Sequence, residues 1–376
     1  MKIVFLSTFY PFRGGIAQFS AHLYREAAKK HDVEAVTFSR QYPKLLFPGK
    51  TQLVSPDDTA DKIPAKRWLD SINPFTYIST ARKIRNLHPD LIISRYWMSF
   101  FAPSFGWILG KQNKKTIRLA ILDNVIPHER RFFDDAFNRF FLNRNDGFIV
   151  MSEQVQKDLL FYLPKSKHIL IPHPIYNHFG EKISKTEALQ KLGISDCINK
   201  KVLLFFGIIR DYKGLDILLN TIQFLDDSYI LIIAGEVYGS FEKYENSIKE
   251  KKLEKKVKLY NRYIDDSEVT NFFSAADVCV LPYRSATQSG ITNISYHFEV
   301  PVISTNVGGL AETISHGRTG LIAEEVSEKA LLKQIKNFYE IYNLNEFAQN
   351  IQLYNKENSW ENFVSKMLDF SQRLKK

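Results

Sequence analysis

Residues 201–219 read KVLLFFGIIRDYKGLDILL, and the three parts of this stretch decide the fold. KVLLFF is apolar at nearly every position, which suits a strand covered on both faces and hence a parallel sheet. Gly207 ends the run, Arg210 and Lys213 stand three residues apart in the turn that follows, and GLDILL opens a helical pattern. A strand, a short cation-bearing loop and a helix form half of a βαβ unit. Right-handed crossovers assemble such units into a doubly wound sheet.

The same rhythm continues on both sides. Downstream, YILIIAG, VKLYNR, VCVLPY and VPVISTN read as strands, with a helix in DSEVTNFFSAA. Upstream, KIVFLST, VEAVTFSR, DLIISRYW, KTIRLAIL, GFIVMS and HILIP read as strands, with a helix from Ile16 to His31. The strand pattern lapses around HPIYNHFGEKISKTEA. A chain of 376 residues also exceeds what one compact core accommodates. Two Rossmann-like α/β domains are therefore predicted, 1–178 and 179–355, followed by a helical segment at 356–376. There Trp360, Phe363, Met367 and Phe370 recur at spacings of three and four, the stripe of a buried helix face.

Composition narrows the class. Hydrophobic residues at 44% and charged residues at 24% exclude a disordered chain. Cys197 and Cys279 cannot frame a disulfide scaffold, and Cys279 lies in the apolar run VCVLP, so a reducing cytoplasm is expected. The N-terminus lacks the apolar run of a signal peptide, and no stretch reaches the roughly 20 apolar residues of a spanning helix. Residues 1–195 hold 29 Lys and Arg against 17 Asp and Glu, more than the whole net charge of +10. That asymmetry points to an anionic partner for the N-terminal half. Aromatic segments at 95–109 and 130–141 accompany the charges, as membrane anchors or as amphipathic core helices. The expected location is cytoplasmic, peripheral on the inner face of the plasma membrane. No nucleic-acid-binding module is present.

Ligands of doubly wound sheets bind beyond the carboxyl ends of the strands, where helix N-termini point. Four loops fall there. Arg13-Gly14-Gly15 follows the first strand. Arg210 and Lys213 stand at a helix entrance, where the macrodipole disfavours cations unless an anion such as a diphosphate joins them. PYRSATQSGITNIS brings Ser285, Thr287, Gln288, Ser289 and Gly290 to another helix start, as an anion or sugar cradle or as a well-capped helix. STNVGGLAETI places Gly308-Gly309 at a fourth. Loops of this kind on corresponding edges of two sheets predict a ligand cleft.

RGG after the first strand, GIIRDYKGLD, SEVTNFFSAADVCVLPY and PVISTNVGGLAETISHGRTGLI together resemble the family-four retaining glycosyltransferases of the GT-B fold. The resemblance spans nearly the whole chain and is most specific from Asp265 to Glu324. It implies two doubly wound domains facing across a cleft, the first on the acceptor side and the second on the nucleotide-sugar side, with the C-terminal helix crossing back to the N-terminal domain. It assigns Gly14, Gly15, Arg210 and Lys213 to the donor diphosphate and places the base near Arg262 and Ile264. The arginine usual five residues before the lysine is replaced by Ile208, so Arg210 acts from another position.

Two further departures stand out. The paired glutamates of the family would fall at Ala286 and Ile294, and both are missing. Thr287, Gln288, Ser289 and Gly290 are the donor-binding candidates in that loop, with Asn293 a further replacement. A first-domain histidine near the reacting sugar is replaced by Asp123, which with Asn124 and His128 makes the catalytic candidates. The implied reaction moves a sugar from UDP or GDP to a glycan or lipid-linked acceptor in polysaccharide synthesis. No cofactor and no metal are expected, since no D-x-D, H-x-x-E-H or Cys/His set occurs. A non-catalytic nucleotide-sugar or glycan-binding protein is the alternative. An NAD(P) oxidoreductase would want G-x-G-x-x-G after the first strand and an acid ending the second, where FRGGIA and Arg40 stand.

Overall fold

The computed structural model describes residues 1–43, 52–54, 61–126, 131–175, 179–237, 239–286 and 289–374. Two compact units emerge, Met1–His173 with Trp360–Lys376, and Pro174–Ser359.

The first unit holds strands β1 (Lys2–Leu6), β2 (Asp32–Arg40), β3 (Lys66–Asp70), β4 (Leu91–Tyr96), β5 (Ile117–Leu122), β6 (Gly147–Val150) and β7 (His168–Leu170). They form one parallel sheet in the order β3-β2-β1-β4-β5-β6-β7. Helices α1 (Gly15–Ala28), α2 (Pro74–Asn86), α3 (Ala102–Gly110), α4 (Asp134–Leu142) and α5 (Glu153–Tyr162) connect them. Alternation along β1 shows the two-sided covering. Val4 and Leu6 face the core shared with Tyr77, Phe105, Phe141 and Leu159 from α2 to α5. Ile3 and Phe5 face the core that includes Phe19 and Leu23 of α1.

The second unit holds β8 (Lys201–Phe206), β9 (Tyr229–Ala234), β10 (Val257–Tyr260), β11 (Val278–Leu281), β12 (Val302–Thr305) and β13 (Gly320–Ala323). Their order is β10-β9-β8-β11-β12-β13, again parallel throughout. Its helices are α6 (Lys185–Lys191), α7 (Leu215–Ile222), α8 (Glu242–Glu250), α9 (Asp266–Ala275), α10 (Gly290–His297), α11 (Gly308–Thr313), α12 (Glu328–Glu340) and α13 (Leu344–Glu357). Local chemistry sets several of their starts. Asp265 and Glu268 form a reciprocal capping box on α9, and Ser327 caps α12 by accepting from the Ala330 N–H. In each sheet the strand order reverses once, between β1 and β4 and between β8 and β11. Each unit is thus a Rossmann-like doubly wound domain.

The last helix, α14 (Trp360–Arg373), belongs to the first unit and packs on α1. Trp360, Phe363 and Met367 of the expected stripe are buried, and Phe370 is half-buried. The domain seam lies earlier than the expected 178, between His173 and Pro174. Ile175 and Phe179 sink into the core of the second unit, and the Ile175 N–H donates to the Asn358 carbonyl at 3.1 Å. Residues 356–359 likewise stay with the second unit, and from Glu328 onward the chain forms three helices, α12, α13 and α14.

The aromatic segments lie partly in the core and partly at the surface. Phe101, Phe105, Ile108, Leu109 and Phe141 are fully buried beneath α3 and α4, because these helices must cover the sheet. Phe132 and Trp107 stay outside, at 99% and 41% exposure. Among the described residues, no helix is long and apolar enough to cross a membrane.

Candidate active site

The switch point of the second sheet gathers the sequence candidates most closely. β8 and β11 are neighbours, with Leu204 opposite Cys279, so the loops that leave their carboxyl ends lie side by side before diverging to opposite faces. From β8 the chain passes Gly207, makes a turn over Asp211–Lys213 and enters α7 through Gly214. From β11 it runs through Pro282 to Arg284 and reaches α10 at Gly290.

Lys213 is the central side chain of this place. It is only 8% exposed, its ammonium stands 5.6 Å from the centre of the Tyr283 ring, and a Cβ on Gly207 would come within 3.1 Å of it. Among the described residues no carboxylate pairs with it. Burial, with a smaller push from Arg210, lowers its pKa to about 8. Beneath it in β11, burial pushes the Cys279 thiol up to about 12, the inert cysteine expected from its apolar run. Arg210 is exposed at the opening of the same turn.

The two loops are tied together by a residue that the sequence did not single out. Arg284 grips Asp216 in the first turn of α7 at 2.9 and 2.6 Å and donates to the Asp211 carbonyl at 2.8 Å. Its N–H donates to the Tyr212 carbonyl at 2.7 Å. Nothing in the isolated motif marks this, because the partners lie 68 and 73 positions away. Ser289 occupies the N-cap of α10 without spending its side chain on capping, and Gly290 begins that helix. Thr287 and Gln288 lie outside the described residues. Arg262 pairs with Glu268 of α9 in a fork at 2.6 and 2.5 Å, and Ile264 is buried beside it.

In the first unit, Gly14 is the N-cap of α1 and Gly15 its first residue. No acidic residue lies in the first turn, and no side chain caps it. Asp123 follows β5 and is not a free carboxylate. Both its oxygens accept from Arg95 at the end of β4, each at 2.7 Å. Asn124 is exposed beside it, and His128 lies outside the described residues. Asp123, a catalytic candidate from the sequence, is thus an acceptor whose two oxygens are already held by a cation.

Comparison with known proteins gives this geometry a family. The family described as Glycosyl transferase 4-like domain matches residues 14–173, and that described as Glycosyl transferases group 1 matches residues 185–357. A glycosyltransferase of Methanocaldococcus jannaschii is 27% identical over 379 residues, covering 97% of this chain and 96% of the relative. The lipopolysaccharide core biosynthesis mannosyltransferase LpsB of Rhizobium meliloti is 27% identical over 214 residues, 54% of this chain and 58% of its own. Among solved structures, HepE of Anabaena in complex with UDP shares the fold at a TM-score of 0.68 and 16% identity, over 98% of this chain and 100% of that one. With two domain families in tandem on two Rossmann-like domains, the chain belongs to the family-four glycosyltransferases of the GT-B fold and is a glycosyltransferase.

Proposed function

We propose that the enzyme moves a sugar with retention from a UDP- or GDP-sugar to a glycan or lipid-linked acceptor, without a metal ion. The observation that carries this reading is Lys213, a buried ammonium with no carboxylate partner among the described residues, at the switch point beside the entrances of α7 and α10. Burying an unpaired cation is costly, and a diphosphate would supply the missing charge. Lys213 and Arg210 would then stabilise the negative charge that grows on the departing diphosphate, as preorganised electrostatics in a site that excludes water. Ser289 and Gln288 would hold the donor where the family's glutamates are absent, and Arg262 with Ile264 would border the base. Gly14 and Gly15 remain the proposed diphosphate contacts of the N-terminal domain, with Asp123, Asn124 and His128 its catalytic candidates. The UDP complex of HepE supports uridine nucleotides as the first donors to try.

The test is mass spectrometry of products from a nucleotide-sugar panel, paired with calorimetry of UDP and GDP binding. Lys213→Ala removes a charge-assisted contact and is expected to cost about 1.5–3 kcal/mol of nucleotide affinity. Unchanged affinity would remove this site from the reading.

A specific observation also favours an anionic membrane surface for the acceptor side. Phe75, Trp107, Phe132 and Phe161, on or beside α2 to α5, are 81%, 41%, 99% and 59% exposed. Lys111 stands 5.1 Å from the Trp107 ring and Arg131 6.0 Å from the Phe133 ring. The first unit holds 30 Lys and Arg against 17 Asp and Glu. Aromatic anchors among cations suit the headgroup region of anionic lipid.

A further inference from the structure

Arg95 is the next-to-last residue of β4, beside the switch point of the first sheet, and is 6% exposed. Nothing in the sequence sets it apart from the other cations of the basic N-terminal half. Three edges of its guanidinium are engaged. Nε donates to Asp123 Oδ2 and Nη2 to Oδ1, both at 2.7 Å. Nη1 reaches the Ile16 carbonyl, in the first turn of α1, at 3.4 Å. The flat face lies 3.8 Å from the centre of the Phe19 ring, one turn further along α1. Phe19 is held in turn by Trp360 at 4.8 Å, His173 at 5.0 Å and Phe363 at 5.7 Å between ring centres. One side chain therefore touches the end of β5 and the first two turns of α1, on a ring fixed by α14.

We propose that Arg95 is a positioning residue of the transferase, holding the Asp123 carboxylate and the Gly14–Gly15 entrance of α1 in a single geometry. The proposal rests on the transferase reading, because its consequence is read in turnover. The chemistry favours arginine and no other residue. A planar fork meets both carboxylate oxygens, spares an N–H for a carbonyl and still stacks on an aromatic ring. A lysine is a point charge that can do one of these at a time. The cation also lies near the N-terminal end of a helix, where it gains nothing from the macrodipole, so helix stability is not its reason for being there. A buried ion pair is likewise a weak source of net stability, since an apolar pair of similar volume often serves as well. What the pair adds is orientation, and small displacements of reacting groups are expensive in rate.

The experiment compares the wild type with Arg95→Lys, Arg95→Met and the double variant Arg95→Met with Asp123→Leu. Each is read by steady-state kinetics on the best donor, thermal unfolding and hydrogen exchange at the amides of residues 17–21. The single methionine variant leaves a carboxylate unpaired and is expected to unfold earlier. The double variant removes both charges and is expected to recover wild-type thermal stability. In Arg95→Lys and in the double variant, kcat is expected to fall at least about tenfold while the donor KM stays within about threefold. Exchange at the start of α1 is expected to quicken by about tenfold in the double variant. Wild-type kcat in either variant, or unchanged exchange in the double variant, overturns the proposal. A wild type inactive across the donor panel overturns the transferase reading, and the exchange comparison, which needs no donor, still decides whether Arg95 orders α1.

Discussion

At the scale of single residues, Lys213 makes a prediction whose sign follows from its pKa of about 8. Its charge is complete well below that value and is lost above it. An anionic ligand needs the charge, so UDP affinity is expected to weaken as pH rises through 8, by up to about tenfold per unit. Titration calorimetry at pH 7, 8 and 9 measures this, and Lys213→Met should flatten the profile. The ligand-free protein behaves oppositely. Between about 8 and the ordinary 10.5 the unfolded chain binds a proton that the folded chain has released, so stability rises with pH across that window. Urea midpoints of wild type and Lys213→Met, compared at both ends, check the sign. Lys213 was legible in the sequence because its motif is local. Arg95 and Arg284 were not, because each acts through partners brought close only by the sheet.

At the scale of elements, the loops after β8, β11 and β12 approach one another through glycine. Gly214 has φ +66°, and a Cβ there would stand 2.0 Å from the Pro282 carbonyl oxygen. Gly308 has φ +46°, and a Cβ would stand 1.8 Å from the Ala286 carbonyl oxygen. Neither oxygen can yield without moving the loop that carries it. Gly214→Ala is expected to destabilise by about 1–3 kcal/mol and to weaken UDP binding by displacing Pro282 and Tyr283. Denaturant unfolding with calorimetry measures both, and wild-type values in both would contradict this reading of the turn. Asp216→Ala sets a contrast. Its pair with Arg284 is half exposed, so the stability cost should stay below about 1 kcal/mol, with the effect appearing in the donor KM. Most strands were legible at this scale, but β3 and β13 were not. KRWLD alternates partly exposed residues among cations, and GLIA is four residues behind a turn, so neither shows the long apolar run of a central strand.

At the scale of the whole molecule, α14 determines how the chain closes. Trp360 packs on Phe19 and stacks on His22 at 5.1 Å between ring centres. Trp360→Ala is expected to cost about 3–5 kcal/mol of the stability of the first unit, read as a lowered thermal midpoint. Loss of the basic and aromatic surface tests the membrane reading. Sedimentation with anionic vesicles is expected to be strong at low salt and weak at high salt. Phe132→Ser with Phe75→Ser should weaken it, and equal binding to neutral vesicles would contradict the electrostatic component.

The sequence by itself determined two parallel α/β domains, their common layout and the cation-bearing loop of the second, because apolar runs, helix periodicity and glycine-marked turns are local properties. The family resemblance implied that the last helix rejoins the first domain, as it does; tertiary structure alone decided that Asp123 is held by Arg95 and that Arg284 joins two loops. Each of these is a contact between residues far apart in the chain, and no local pattern encodes which distant surface a fork of N–H groups or a stripe of rings will meet.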